Sequence, residues 1–245
     1  MKNEILENLF EFWDHISTLT GESCKTPEFK SIQQEDFLWP SKIYNISLTR
    51  ETINYLYQEI TSETIPNSLN TVSNTDTDNA LKEQGFELKS TLEAMFVADI
   101  SPTFLNTNTS SVHLVDTIEM ATIFTEIASS SFGYNVLPNT IIDLIKSDVL
   151  HTYIGIHKGD YVSCGMLFLD KQGHVGLHMI GTLTAVRGLG IGKIMTQHLV
   201  QKASGIAKGN IVLVASKAGA FIYKKMGFKV NGALKRYHIK KTQTN

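Results

Sequence analysis

Residues 182–193, Thr-Leu-Thr-Ala-Val-Arg-Gly-Leu-Gly-Ile-Gly-Lys, contain three glycines that alternate with other residues. The run before them, 175–182, is apolar and strand-like, and residues 194–206 repeat apolar side chains at helical spacing. Glycines between a strand and a helix let a ligand approach the backbone, and unpaired amides at the helix start attract anions. The stretch therefore predicts an anion site within an α/β fold.

Two nucleotide-binding motifs are excluded, because the spacing of these glycines does not match either of them. The glycines do not form Gly-x-Gly-x-x-Gly, and Lys193 is not preceded by the longer phosphate loop of an NTPase. What remains is Arg187-x-x-Gly190-x-Gly192. A second pattern, Leu213-Val214-Ala215-Ser216-x-x-Gly219-x-x-x-Tyr223-x-x-x-Gly227-Phe228, follows it. Together the two patterns resemble the GNAT superfamily of acyl-CoA-dependent N-acetyltransferases, over just over half of the chain.

The resemblance implies a GNAT fold, in which helices flank a mixed central β-sheet, and acetyl-CoA as cosubstrate without a metal. It implies that loop amides hold the pyrophosphate and that backbone groups on the preceding strand hold pantetheine and the acyl carbonyl. Ser216 is expected to contact pantetheine or to cap the next helix, and Arg187 to shape the turn or to touch phosphate. The cofactor-binding residues expected are Ile180, Gly181, Thr182, Arg187, Gly188, Leu189, Gly190, Ile191, Gly192, Lys193 and Ser216.

The resemblance also assigns chemistry. Tyr223 matches the family's acid, because a phenol with a pKa near ~10 stays protonated at neutral pH and can donate to the departing thiolate. His178 is the nearby candidate base, on the same strand face as Ile180 and Thr182 if side chains alternate strictly. A core tyrosine and a structural histidine are the alternatives. Thr184 stands where many relatives carry proline.

Composition excludes other classes. The net charge is −2 and the pI is about 6.4, which argues against binding to nucleic acid or to a membrane surface through charge. No apolar run is long enough to span a bilayer, and the N-terminus lacks a signal-peptide pattern, so we expect a cytoplasmic protein, monomeric or homodimeric. The two cysteines fit a reducing compartment, and Cys164 is predicted to be a core residue. The eight histidines show no ligand spacing, so no metal site is expected.

Glycine usage divides the chain, because fifteen of the 17 glycines follow residue 110. We predict a GNAT N-acetyltransferase domain over 109–245, with a linker at 101–111. Residues 1–108 carry a β-α-β-α-β pattern, and Leu81-Lys82-Glu83-Gln84-Gly85-Phe86 echoes residues 223–228. This half is therefore interpreted as a degenerate GNAT-like half domain. It has leucine in place of the tyrosine and no glycine loop, so we expect it to be catalytically silent.

Two further groups bear on substrates. Phe132-Gly133-Tyr134 lies where relatives shape the acceptor pocket, with core packing as the alternative. The C-terminal cations are predicted to form one basic patch that meets the 3′-phosphate of CoA or remains solvated: Lys224, Lys225, Lys235 and Arg236. The function that follows is direct acetyl transfer from CoA to a primary amine of a small molecule or peptide, since no cysteine is placed as an acyl carrier. The alternative is an acyl-CoA-binding regulator or scaffold without turnover.

Overall fold

One eleven-stranded sheet runs through the protein. The computed structural model describes residues 3–21, 23–72 and 74–240. The helices are α1 Glu4–Thr20, α2 Arg50–Thr61, α3 Thr75–Glu83, α4 Pro102–Leu105, α5 Ile118–Phe132, α6 Pro138–Leu144, α7 Ile191–Ser204 and α8 Lys217–Lys225. The strands are β1 Ser23–Lys25, β2 Lys30–Ile32, β3 Lys42–Tyr44, β4 Leu69–Val72, β5 Phe86–Val97, β6 Val112–Leu114, β7 Leu150–His157, β8 Asp160–Leu169, β9 Val175–Thr182, β10 Ile211–Ala215 and β11 Lys229–Ile239.

Short polar side chains start the long helices. The Asn3 side chain accepts from two amides of the first turn of α1, Thr49 caps α2, and Thr117 caps α5. Each cap satisfies an amide that the helix itself leaves unpaired, and is worth about 1 kcal/mol. Strand β3 ends at Tyr44, because Asn45 has φ 51° and leaves the extended conformation.

The two halves of the chain interleave in the sheet. Its order is β1-β2-β3-β4-β11-β5-β10-β9-β8-β7-β6. β5, from the first half, lies between β10 and β11 of the second half and pairs antiparallel with both. β11 in turn pairs with β4. The sheet is thus continuous across residue 108, and the division into two domains there stays a prediction.

Strands β1 to β4 repeat the arrangement of β7 to β10 around the central pair β5 and β11. β3 is parallel to β4 as β9 is parallel to β10, and the other pairs in each half are antiparallel. The glycines of the two similar segments also correspond. Gly85, just before β5, has φ 101°, and Gly227, just before β11, has φ 91°. Left-handed backbone of this kind favours glycine.

The helices cover both faces of the sheet. Helices α1, α5 and α6 pack on one face, α7 and α8 on the other, and α2 and α3 on that other face under the first half. Neighbouring residues of β10 show the two faces. Val212 lies in the apolar core formed with α1, α5 and α6, and Leu213 lies in the core formed with α7 and α8. The predicted linker follows an ordered path on α7, where Gln201 donates to the carbonyls of Phe104 and Thr107 at 3.2 and 2.8 Å.

Candidate active site

The glycine loop joins β9 to α7 through left-handed backbone. Gly188 has φ 84° and Gly190 has φ 81°, and Gly190 is the N-cap of α7 with no side chain capping the helix. A β-carbon at either position would meet no atom within 4 Å, so both glycines border open space. The first amides of α7 lack intrahelical partners, as at any helix N-terminus. The loop can therefore hold an anion such as a pyrophosphate.

Arg187 shapes this loop. Its Nε donates to Thr182 O at 3.1 Å, and its Nη2 donates to Ser131 O at 2.9 Å. The guanidinium thereby ties the end of β9 and the end of α5 to the turn. Of the remaining predicted loop residues, Leu189 and Lys193 are exposed.

Strands β9 and β10 separate before the loop. They pair only from Val175 to Leu177, opposite 211–213. Beyond that point β9 contains a bulge, since Met179 has φ 51° and the register with β8 shifts between Cys164 and Met166. A bulge bends its strand and disrupts the ladder locally. A gap therefore opens between residues 178–180 and 214–216.

A cavity of about 600 Å³ fills this gap and extends towards the first half of the chain. Ile180 lies on its wall, whereas Gly181 and Thr182 pair with Cys164 and Ser163 of β8. From β10 and α8 the cavity is lined by Leu213, Val214, Ala215, Ser216, Gly219 and Tyr223. Ser216 also caps α8, accepting from Gly219 N at 3.2 Å.

Tyr223 projects from α8 into this cavity. A β-carbon at Gly219 would lie 3.3 Å from its ring, and the Phe228 ring centroid lies 5.9 Å away, so the phenol is closely held. Burial raises the pKa of Tyr223 to about 12, partly offset by a hydrogen bond with the Thr196 hydroxyl. The phenol is therefore a proton donor at any physiological pH.

Thr196 is a site residue that the sequence argument missed. It lies one helical turn after Gly192, and its hydroxyl donates to Gly192 O at 2.8 Å while contacting Tyr223. It thus connects the glycine loop to the phenol. The i,i+4 spacing from Gly192 is a signal that could have found it.

His178 does not lie where strict alternation predicts. Its ring stacks on Phe12 of α1, with centroids 4.0 Å apart, whereas Ile180 packs with the cluster under α7 and α8. The bulge at Met179 inserts an extra residue, so the two side chains point to opposite faces. The expectation that His178 shares a face with Ile180 is therefore wrong.

The surroundings of His178 disfavour a base. Burial, followed by the nearby Lys42 charge, lowers the pKa of His178 to about 3, and its Nε2 has no hydrogen-bond partner among the described residues. A base of that pKa holds a proton only weakly in a transition state. The catalytic role of His178 stays a prediction, and it can be tested.

Acidification should lower the stability of the folded protein, because the buried His178 imidazole disfavours protonation. Unfolding returns the pKa from about 3 to about 6.5, so the unfolded state binds more protons between those values and stability is lost as pH falls through that window. At pH 4.5 we expect a loss of about 2–3 kcal/mol relative to pH 7.5. Denaturant unfolding of wild type and His178→Asn at both pH values checks this.

The variant should lose less stability on acidification than wild type does, with the matched change His157→Gln in the β7–β8 turn region as control. An equal pH dependence in wild type and His178→Asn would contradict the assignment. If kcat of the folded variant also falls at pH 7.5, His178 has the predicted catalytic role; an unchanged kcat indicates packing only.

The cations near the C-terminus do not form one patch, which corrects that expectation. Lys224 pairs with Glu93 at 2.7 Å, Lys225 lies over the Phe221 ring, and Lys235 pairs with Asp78. Arg236 alone reaches the cavity. The physical reason is that alternation on β11 sends Lys235 and Arg236 to opposite faces of the sheet.

The far wall of the cavity comes mostly from the first half of the chain. Phe132 and Tyr134 also line it, with ring centroids 5.6 Å apart and the Tyr134 hydroxyl 3.7 Å from Met179 Sδ. Residues that the sequence argument missed share this wall: Trp13, Phe37, Trp39, Lys42, Asn70 and Lys89. Their sequence positions are scattered, so no local pattern identifies them.

Among the described residues, no group of three or more His, Cys, Asp or Glu side chains is placed to hold a metal ion. Cys164 is fully buried, and burial raises the pKa of its thiol to about 12, as suits a core residue. Among residues 3–21, 23–72 and 74–240, no helix is both long and apolar enough to cross a bilayer.

Comparison with known proteins defines the class. Residues 148–230 match the family model of the Acetyltransferase (GNAT) domain, and this range contains the glycine loop, the strand gap and Tyr223. The chain therefore contains an Acetyltransferase (GNAT) domain, the domain of an acyltransferase enzyme. No curated protein matches the chain by sequence.

Solved structures share the fold over most of the chain. A GCN5-related N-acetyltransferase from Kribbella flavida superposes with a TM-score of 0.68 at 14% identity, covering 94% of each chain. A GCN5-related N-acetyltransferase-like protein from Streptococcus suis gives 0.57 at 14% identity, covering 88% of this chain and 85% of that one. An acetyltransferase from the GNAT family of Colwellia psychrerythraea gives 0.52 at 14% identity, covering 88% and 82%. At such identities the likeness concerns the fold.

Proposed function

We propose that the protein is an acetyl-CoA-dependent N-acetyltransferase that moves the acetyl group directly from CoA to a primary amine. The observation that carries the proposal is that the Tyr223 phenol lies in the cavity at the gap between β9 and β10. Thr196 connects this phenol to Gly192, in the first turn of the helix that follows the glycine loop. An anion site, a slot for an extended thioester and a protonated acid are the parts that this reaction needs.

In this proposal the loop amides from Gly188 to Lys193 bind the pyrophosphate, and pantetheine enters the strand gap. Backbone groups near Ile180 orient the thioester carbonyl. The amine nitrogen attacks the carbonyl carbon, the carbon–sulfur bond breaks, and Tyr223 gives its proton to the thiolate. Water receives the proton that the amine loses, unless His178 does. Transfer is direct because Cys164 is buried and protonated.

We further propose that residues 1–108 are a degenerate copy of the GNAT half domain and do not bind CoA themselves. The repeated strand order and the matched glycines support this. The helix that corresponds to α7 is α2, and its N-terminus is already capped by Thr49 rather than opened by glycines. In this view the first half contributes the acceptor wall, and the second half, 109–245, contributes the CoA site. We also propose a cytoplasmic location, because the free thiol of Cys164 suits a reducing compartment.

A thiol-release screen tests the function. Purified protein is offered acetyl-CoA with a panel of amino acids, polyamines, aminoglycosides and peptides, and free CoA is measured over time. We expect at least one amine to raise thiol release at least 10-fold above the rate without acceptor, and Tyr223→Phe to suppress that increase. Binding of acetyl-CoA by calorimetry without turnover on any amine would favour the regulator instead.

A further inference from the structure

One wall of the cavity is cationic. Lys42, Lys89 and Arg236 line it, and the described residues on its wall include no Asp or Glu. The Lys42 ammonium lies 4.5 Å from the centroid of the Trp13 ring. Neither Lys42 nor Arg236 forms an ion pair with any carboxylate that the structure describes. The cavity therefore holds positive charge that no described carboxylate balances.

Such charge is costly without an anion. Both Lys42 and Arg236 are partly buried, and desolvated charges in proteins are normally paired. Burial, and then the Arg236 charge, lowers the pKa of Lys42 to about 7. An anionic ligand between the two side chains would restore both charges to a paired state. A guanidinium also matches a carboxylate in two parallel hydrogen bonds.

The position of the cations indicates that they bind the acceptor and not the acyl chain. Arg236 is on β11, two strands from β10, and strands lie about 4.8 Å apart, so its backbone is about 10 Å from the gap where the thioester would enter. An acetyl group spans far less than that distance. An amine held at the gap, with an anionic group a few bonds away, would meet the Arg236 side chain as it extends back towards the gap.

We propose that the acceptor is an amino-acid-like amine, one molecule with a primary amine and a carboxylate, and that Lys42 and Arg236 bind its carboxylate. The aromatic side chains around the cations supply apolar contact for the rest of the molecule: Trp13, Trp39, Phe132 and Tyr134. This inference rests on the proposed function for the amine's fate, but the binding of the carboxylate does not require turnover.

Binding provides the first test. The full chain is saturated with free CoA, and the twenty amino acids are titrated beside their decarboxylated partners, such as phenylalanine with 2-phenylethylamine and tryptophan with tryptamine. We expect at least one amino acid to bind at least 10-fold more tightly than its partner by calorimetry. Arg236→Gln and Lys42→Gln should each remove most of that preference, whereas Lys146→Gln, on the α6 side away from the cavity, should keep it.

Melting temperature and CoA affinity of each variant show whether it is folded and still binds CoA. If the amino acids bind no better than the decarboxylated amines, the inference is overturned. If O-phosphoethanolamine binds to wild type and no amino acid does, the class of anion is wrong. Binding of the amino acid with the expected preference, but without acetyl transfer, would overturn the proposed function and leave the carboxylate site standing.

A turnover assay distinguishes a carboxylate on the acceptor from a carboxylate on the acyl group. Wild type and Arg236→Gln are assayed with acetyl-CoA and succinyl-CoA, each with the preferred amino acid and its decarboxylated partner. We expect Arg236→Gln to lower kcat/KM for the amino acid by about 10–100-fold, and for the decarboxylated amine by less than 3-fold, with acetyl-CoA. If the loss instead follows succinyl-CoA with either amine, the carboxylate belongs to the acyl chain and the inference fails.

Discussion

Tyr223→Phe should lower the turnover number by roughly 10–10⁴-fold while the affinity for acetyl-CoA stays within about 2-fold of wild type. The change removes one oxygen and keeps the ring against Phe228. The glycine loop is untouched, so the phosphate contacts persist. The thiolate loses its donor, and water replaces it only partly. Steady-state kinetics with any amine that the thiol-release screen identifies, beside calorimetry with acetyl-CoA, measure both quantities.

A second tyrosine provides the matched control. Tyr153 is also buried, packs edge-on against His198, and does not line the cavity. Tyr153→Phe should therefore leave turnover within about 2-fold of wild type. If Tyr223→Phe keeps full activity and loses only about 1 kcal/mol of stability, the phenol is a packed core residue and the acid must be sought elsewhere.

Gly190→Asp is expected to abolish measurable binding of acetyl-CoA. The position has φ 81°, borders open space and begins α7, so an added side chain meets no protein atom but enters the place where an anion would lie. A carboxylate there would repel the pyrophosphate and occupy the unpaired amides itself. Calorimetry with acetyl-CoA measures the loss, and circular dichroism checks the fold.

Gly190→Asn separates charge from shape. Asparagine is close to aspartate in size and shares its tolerance of left-handed backbone, but it carries no charge. We expect Gly190→Asn to weaken binding by clearly less than Gly190→Asp does. Gly192→Asp should also abolish binding, although a β-carbon there lies 3.2 Å from Thr182 Oγ1 and adds crowding to the charge. Unchanged affinity in Gly190→Asp would mean that the loop is only a turn.

Local sequence was sufficient for the parts of the site that one segment builds. The strand predicted at Val175–Thr182 has these bounds in the structure, and the apolar run Ile211–Ala215 also forms a strand. Both are apolar runs between turn residues, a pattern that local propensity determines. The glycine loop follows for the same reason, because only glycine adopts its left-handed φ values at low cost. The GNAT family was therefore recognisable from two motifs.

Alternation failed at Met179. A bulge adds one residue without changing the apolar character of the strand, so the sequence carries no sign of it, and the bulge moved His178 to the face covered by α1. The low pKa of His178 then depends on Phe12 and Lys42, which lie more than 130 residues away in the chain. Burial by distant residues is outside the reach of a local pattern.

By itself the sequence indicated the class of protein, the glycine loop and the candidate acid, because each depends on residues close together in the chain. Only the tertiary structure placed β5 between β10 and β11 and brought Trp13, Lys42 and Arg236 to one wall. The placement of β5 is decided by long-range pairing, in which many contacts form together and no single segment encodes its partner. The cationic wall of the cavity is thus a property of the whole sheet.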